Sequence, residues 1–256
     1  MRLFLLAAVV IPAIRAEDVM DIVHAYVARQ ASHYDRTRDY TYEQRVVTRR
    51  YKRDGALKSN TTETYEVLIV DGKPVRKLVE RDGKPVSPEV SLRRQRELER
   101  ASARARPRLG HSLLDRYETF QLEGEEDLNG RLTWVVSARA KLLSGLGHAQ
   151  AKLWIDEMDL ECARSETESS GGLISLDGWA HGAGSGTAEY VRFDDGVWLP
   201  VRTLNRFDAS IPLTLFPVSL LAQKQEHWEL ETTYTNYEKF QADSHIIGVT
   251  EFKRHP

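Results

Sequence analysis

Between Val19 and Tyr34 the apolar positions fall at Val19, Ile22, Val23, Tyr26, Val27, Ala31 and Tyr34, which is the spacing of one helix face. Asp18 precedes them as a helix cap, so the pattern predicts an amphipathic helix of about four turns that ends before Asp39. At Tyr40 the period changes from 3.6 to 2. Alternation is clearest where Leu132, Trp134, Val136 and Ala138 share one face against Arg131, Thr133, Ser137 and Arg139 on the other. It recurs where Trp228, Leu230, Thr232 and Tyr234 oppose Glu229, Glu231, Thr233 and Thr235. Both read as strands with one buried and one wet face. Further strands are predicted at about 40–51, 62–70, 74–81, 117–124, 150–156, 160–168, 187–194, 197–207 and 245–253.

Asx-Gly pairs separate these segments at Asp54-Gly55, Asp71-Gly72, Asp82-Gly83, Asn129-Gly130, Asp177-Gly178 and Asp195-Gly196. Such pairs favour the positive φ angles of two-residue hairpins, so six of them predict an antiparallel meander and not a parallel βαβ fold. The expected class is mainly β (α+β): a curved antiparallel sheet with an N-terminal helix and few covering elements. Two segments interrupt it. Ser87 and Pro88 open a second predicted helix that runs to Pro107, and from Arg93 to Arg108 seven arginines face only Glu97 and Glu99. Residues 211–222 are apolar but broken by Pro212 and Pro217, which disfavour a central strand or a long helix.

The first sixteen residues carry an address. Arg2, an apolar run from Leu3 to Ile14 and a small residue, Ala16, before Glu17 form the three-part pattern of a cleavable secretory signal. The run is too short to span a bilayer. Residues 1–16 are therefore expected to leave, and 17–256 to form a single exported, periplasmic domain with no cysteine placed for lipid attachment. The remaining chain has 34 basic and 38 acidic residues. With a pI near 6.5 for the whole chain, no nucleic acid is expected as a partner. One cysteine, Cys162, excludes an internal disulfide framework and a thiolate metal cluster.

Catalytic patterns fail one by one. The glycine-rich stretch from Gly171 to Gly186 lacks the spacing of a dinucleotide or phosphate loop, and Ser185 is flanked by Ala183 and Thr187 where a nucleophile elbow needs glycines. A flexible surface loop is expected there, with His148 and His181 solvated. The eight histidines show no metal-ligand spacing, so neither metal nor cofactor is expected. Cys162 lies in a predicted strand and reads as a small buried hydrophobe. No catalytic residue is assigned.

The sheet has more apolar surface than the predicted helices can cover, which points to an apolar concavity. Its candidate wall is Leu132, Trp134 and Val136 of one strand, Leu153 and Ile155 of the next, then Phe193, Trp198 and Phe207, and finally Trp228 and Leu230. Leu213, Leu215, Phe216, Leu220 and Leu221 of the proline-broken segment are candidates for a movable lid. Arg93, Arg96, Arg100 and Arg104 are candidates for anionic headgroups, against the plainer reading of a solvated helix face.

The segment Ala151-Lys-Leu-Trp-Ile-Asp-Glu-Met-Asp-Leu-Glu-Cys-Ala-Arg164 resembles a hairpin of the LolA/LolB-like outer-membrane lipoprotein-sorting family, in which a second strand returns after an aspartate turn. The signal segment, the single N-terminal helix and the strand opening at Tyr40 are in the order of that family. The family's opening glycine is Ala151 here, and the arginine-rich 88–107 stretch resembles an insertion. The resemblance implies an incomplete β-barrel around an apolar cavity, lidded by helices and a loop. It implies a non-enzymatic, monomeric carrier or sensor of lipid or lipoprotein acyl chains, with a membrane-bound protein as partner. Two other readings stay open: an exported hydrolase whose site is assembled from loops, and an envelope module that binds proteins.

Overall fold

The computed structural model describes residues 16–37, 39–70, 73–104, 113–140, 148–173, 181–212 and 223–239. The chain opens with α1 (Ala16–Thr37), then runs through β1 (Tyr40–Tyr51), β2 (Leu57–Val70), β3 (Lys73–Arg81) and the short β4 (Lys84–Pro85). Next come α2 (Pro88–Arg104) and α3 (Leu113–Arg116). Seven strands follow: β5 (Tyr117–Leu128), β6 (Arg131–Ala140), β7 (His148–Asp156), β8 (Cys162–Leu173), β9 (His181–Arg192), β10 (Trp198–Pro212) and β11 (Gln223–Lys239).

All eleven strands form one open antiparallel sheet in the order β4-β3-β2-β1-β11-β10-β9-β8-β7-β6-β5. It is a curved sheet of the incomplete-barrel kind. The first and last strands, β1 and β11, are neighbours over nearly their whole length, from Tyr40↔Lys239 to Tyr51↔His227. Two meanders therefore spread outward from one central seam, and the stretch containing α2 and α3 joins the opposite edges β4 and β5. The turns follow the Asx-Gly chemistry. Asp82-Gly83 and Asn129-Gly130 have positive φ at both residues, as a two-residue primed turn requires.

Residue pairing across the ladders divides the sheet into two faces. The outer face is charged at its centre: Arg49 donates to Glu229 and Glu231, Arg202 to Glu231, and Arg206 to Glu229. The inner face holds both long helices. Val19, Ile22, Val23 and Tyr26 of α1 pack with Val136, Ala138, Ala151, Leu153, Ile155 and Cys162. Each buried valine, leucine or isoleucine of this set contributes about 1.5–3 kcal/mol on leaving water, and it is this packing more than propensity that holds the 22-residue helix. Over the opposite end of the sheet, Val90 and Leu98 of α2 pack on Tyr65, Val67 and Leu78.

A buried ion cluster fixes α2. Glu63 accepts from Tyr65 Oη at 2.6 Å, Arg81 Nη2 at 2.7 Å and Arg94 Nη2 at 2.8 Å. Burial alone would raise the Glu63 carboxyl, but these three donors hold it below the usual range. One arginine of the basic helix is thus committed to the fold.

The described parts of the glycine-rich stretch are strand, not the surface loop its composition suggests. Gly171 and Gly172 lie in β8 and residues 182–186 in β9. A Cβ on Gly186 would stand 2.9 Å from both Asn205 Oδ1 and Thr167 Oγ1. Glycine suits this position because the Asn205 and Thr167 side chains on the neighbouring strands would have to move for anything larger, not because the chain turns.

The far end of α1 is tied to the β9–β10 turn. Arg36 Nη2 donates to the Asp195 carbonyl at 2.6 Å, while the Asp195 carboxylate accepts from Lys239 Nζ at 2.6 Å and Tyr40 Oη at 2.7 Å. Partial burial would raise the Asp195 carboxyl; the hydrogen bonds from Lys239, Tyr40 and the Val197 N–H outweigh it and lower it to about 2. A carboxyl lowered by folding stabilises the fold fully above its unfolded value, near 3.9, and loses that contribution as pH falls toward about 2. The span gives an upper bound of about 2.5 kcal/mol, and solvent screening of this partly exposed group brings it to about 1 kcal/mol. Urea unfolding should show Asp195→Asn less stable than the parent by a constant amount from pH 5 to 8, the gap closing between about pH 4 and 2. A gap that persists unchanged at pH 2 would refute the assignment.

Candidate functional site

A cavity of about 530 Å³ lies between α1 and the inner face of the sheet. That is within the range of about 300–1,000 Å³ typical of small-ligand sites. Tyr26, Gln30, His33 and Thr37 of α1 form its roof. Its floor is the inner-facing row of β7 and β8, Ala151, Leu153, Ser165 and Thr167, continued by Tyr190 of β9 and Pro200 of β10. Tyr42, Ile69 and Tyr237 close it on the side of the β1–β11 seam, and Leu113, Arg116 and Tyr117 on the β5 side.

The void is a consequence of side-chain size. Where α1 crosses β6 and β7 the inner residues are Val136, Leu153 and Ile155, large enough to meet the helix. On β8 and β9 the same face carries Ser165, Thr167, Gly184, Gly186 and Ala188, which cannot reach it. The sheet curves on while its side chains shrink. Rings then stand around the gap: Tyr42 packs against Tyr234 and Tyr237, and Tyr237 against Phe193 and Tyr40. Tyr237 Oη donates to the Pro200 carbonyl, so its polar tip is satisfied and its ring faces the space.

Charge is confined to the rim. Glu161, 3 % exposed, has His33 Nδ1 at 3.0 Å and Arg29 Nε at 3.6 Å. Arg116 stands at the other side, its guanidinium carbon 5.9 Å from the Tyr117 ring. Cys162 lines the cavity, but complete burial pushes its thiol up to about 12, so it is protonated and inert as a nucleophile. Burial likewise pushes Tyr26 well above its ordinary value. Among the described residues no group of three His, Cys, Asp or Glu side chains is placed to hold a metal ion.

The residues singled out from sequence are distributed unevenly over this site. Leu153 and Trp198 line the cavity. Val136 and Ile155, both 0 % exposed, pack under α1 in the core, with Trp134 beside them. Phe193 joins Tyr40 and Tyr237 in a separate cluster. Phe207, Trp228 and Leu230 lie on the inner face of β10 and β11, where Phe207 is 38 % exposed and Arg50 stacks 4.9 Å over Trp228. Leu132 is exposed at the end of β6. The lid candidates Leu213, Leu215, Phe216, Leu220 and Leu221 lie outside the described residues, as do the signal segment and the strand expected at 245–253. Arg93, Arg96 and Arg100 line the exposed face of α2 beside Leu92, and Arg104 closes the helix.

Most of the wall escaped the sequence reading. Ser165 and Thr167 alternate with Glu166 and Glu168, so both faces of β8 read as polar and neither as a wall. Tyr190 and Tyr237 stand in segments whose inner face is set only by the bulges near Pro200 and Thr41. His33 and Arg116 gave no pattern at all.

The hairpin at Ala151–Arg164 is held by a network centred on Asp156, which is 1 % exposed. Arg131 donates to it through Nε at 2.6 Å and Nη2 at 2.7 Å, and the N–H groups of Met158 and Asp159 cap the turn onto its Oδ1. Asp159 in turn accepts from Arg192 and from the Trp198 indole, which fixes one cavity ring.

Two solved structures are similar to the chain. One is described as an outer membrane lipoprotein-sorting protein domain from Vibrio parahaemolyticus, at 12 % identity and TM-score 0.39, covering 91 % of this chain and 96 % of that one. The other is a DUF1329 family protein from Desulfovibrio piger, at 12 % identity and TM-score 0.38, covering 89 % and 95 %. No protein-family model matches the chain. No curated protein matches it either.

Proposed function

We propose that the protein is an exported, periplasmic carrier or sensor that holds an acyl chain in the cavity between α1 and the sheet. The observation that supports this reading is the unfilled space itself. A folded core is normally packed without voids, yet here a partly open space of some 530 Å³ remains, walled by tyrosine, leucine, isoleucine and proline side chains together with Ser165 and Thr167 of its floor and the charged Arg116 and Glu161. Each methylene moved from water into such a space gains about 0.8 kcal/mol, so binding needs no catalytic residue. Release needs only that α1 or a neighbouring segment move. The exposed Arg93, Arg96 and Arg100 offer, on the same reading, a surface for the anionic headgroups of the membrane that gives or takes the cargo.

The test is to plug the space without unfolding its walls. Thr167 is exposed on the inner face of β8 and lines the cavity. Thr167→Trp should leave the melting temperature within about 3 °C of the parent, as a surface change of about 0.5 kcal/mol allows. It should also remove lipid that accompanies the parent in native mass spectra of a detergent-free envelope extract. A parent that carries no lipid, and takes none up on incubation, would overturn the carrier reading.

A further inference from the structure

We infer that the cargo is a single-chain amphiphile with an acidic head, a long-chain carboxylate, and that Arg116 is the residue that selects it. The inference rests on the carrier reading above and names its ligand class. A methylene occupies about as much space as a water molecule in the liquid, roughly 30 Å³, so the cavity has room for about 17 of them. That is room for one long chain.

The rim supplies the second half of the argument. It has two charged ends. At one, the Glu161 carboxylate is already matched by His33 and Arg29. At the other, Arg116 has no carboxylate within ion-pair distance among the described residues; its neighbours are the Tyr117 ring and the Tyr26 hydroxyl, on which its charge acts. A guanidinium fork beside the cavity, with no counter-charge among the described residues, is completed by a carboxylate that brings two parallel acceptors. An ester or alcohol of the same chain brings no charge. Glu161, with its cations already in place, leaves Arg116 as the group in the lining that a carboxylate head would pair with. Because Arg116 is itself exposed, the preference should be modest, about tenfold.

Displacement of the neutral dye Nile red from the delipidated protein at pH 8, by tetradecanoate and by tetradecanol, measures both halves. The parent should bind tetradecanoate about tenfold more tightly than tetradecanol. Arg116→Gln should bring tetradecanoate down to the level of the alcohol and leave the alcohol unchanged, with Arg116→Lys between the two. Equal affinity for acid and alcohol in the parent, or a preference that survives Arg116→Gln, would overturn the assignment of Arg116 while leaving the carrier reading intact. If neither compound displaces the dye, nor the dye binds, the carrier reading falls and this inference with it.

Discussion

Asp156→Ala should cost about 3 kcal/mol, because it strips a bidentate partner from the half-buried Arg131 guanidinium and unties a turn in the same step. Asp156 is fully buried and accepts four hydrogen bonds: two from Arg131 and one each from the N–H groups of Met158 and Asp159. Without it those two N–H groups have no acceptor, and the turn must hold Leu160 at φ 56° without a cap. Arg131 would keep only Asp159, at 3.1 Å. Asp159 is also the acceptor of Arg192 and of the Trp198 indole, so the loss reaches the β9–β10 end of the cavity. For a chain of this length the expected drop in melting temperature is about 10 °C. Asp156→Asn keeps the shape and the turn contacts and should lose roughly half as much. A variant Asp156→Ala within 1 kcal/mol of the parent by urea unfolding would show that the hairpin is held by its strands alone.

Val23→Asp should release α1 from the sheet. Val23 is 0 % exposed at the centre of the helix stripe, and a carboxylate there has no partner among the core side chains it meets. The protein carries its own reporter. Cys162 lies under α1 with its thiol raised to about 12, so an aromatic disulfide reagent should label the folded parent at pH 8 only through opening of the helix. In Val23→Asp, labelling should proceed at the rate of an exposed thiol, with Nile red binding lost. Val23→Ala provides the graded case: removing two methyl groups from a packed site costs about 2 kcal/mol, which speeds labelling by about thirtyfold while the sheet stays folded. Labelling unchanged in both variants would mean that α1 is not what covers Cys162. It would also remove the roof from the proposed site.

The two variants probe opposite kinds of information in the chain. The α1 stripe is local: Val19, Ile22, Val23 and Tyr26 announce a helix with one buried face wherever they occur. The turns at Asp82-Gly83 and Asn129-Gly130 are equally local, since their φ angles follow from their own residues. Alternation marked the inner face of β6 at Val136 and Ala138, but its other side is not wet throughout: Thr133 is 0 % exposed and Val135 is buried beside it, while Leu132, expected inside, is exposed. The glycine-rich run could not be read this way. Composition sees Gly171 to Gly186 as a loop, and only the tertiary structure shows why Gly186 sits in a strand, where a Cβ would displace the Thr167 and Asn205 side chains.

The sequence by itself determined a mainly antiparallel sheet, an N-terminal amphipathic helix, a basic second helix and the absence of any familiar catalytic motif. These are properties of short windows, fixed by side-chain periodicity and turn chemistry. The tertiary structure alone decided that β1 and β11 meet, that Arg94 is spent on Glu63 while its neighbours remain exposed, and that a cavity exists. A void belongs to no residue. It arises because a stiff helix spans a curved sheet whose facing side chains fall from leucine and isoleucine to serine, threonine and glycine across four strands. Residues nearly 200 positions apart, from Tyr42 to Tyr237, then share one wall.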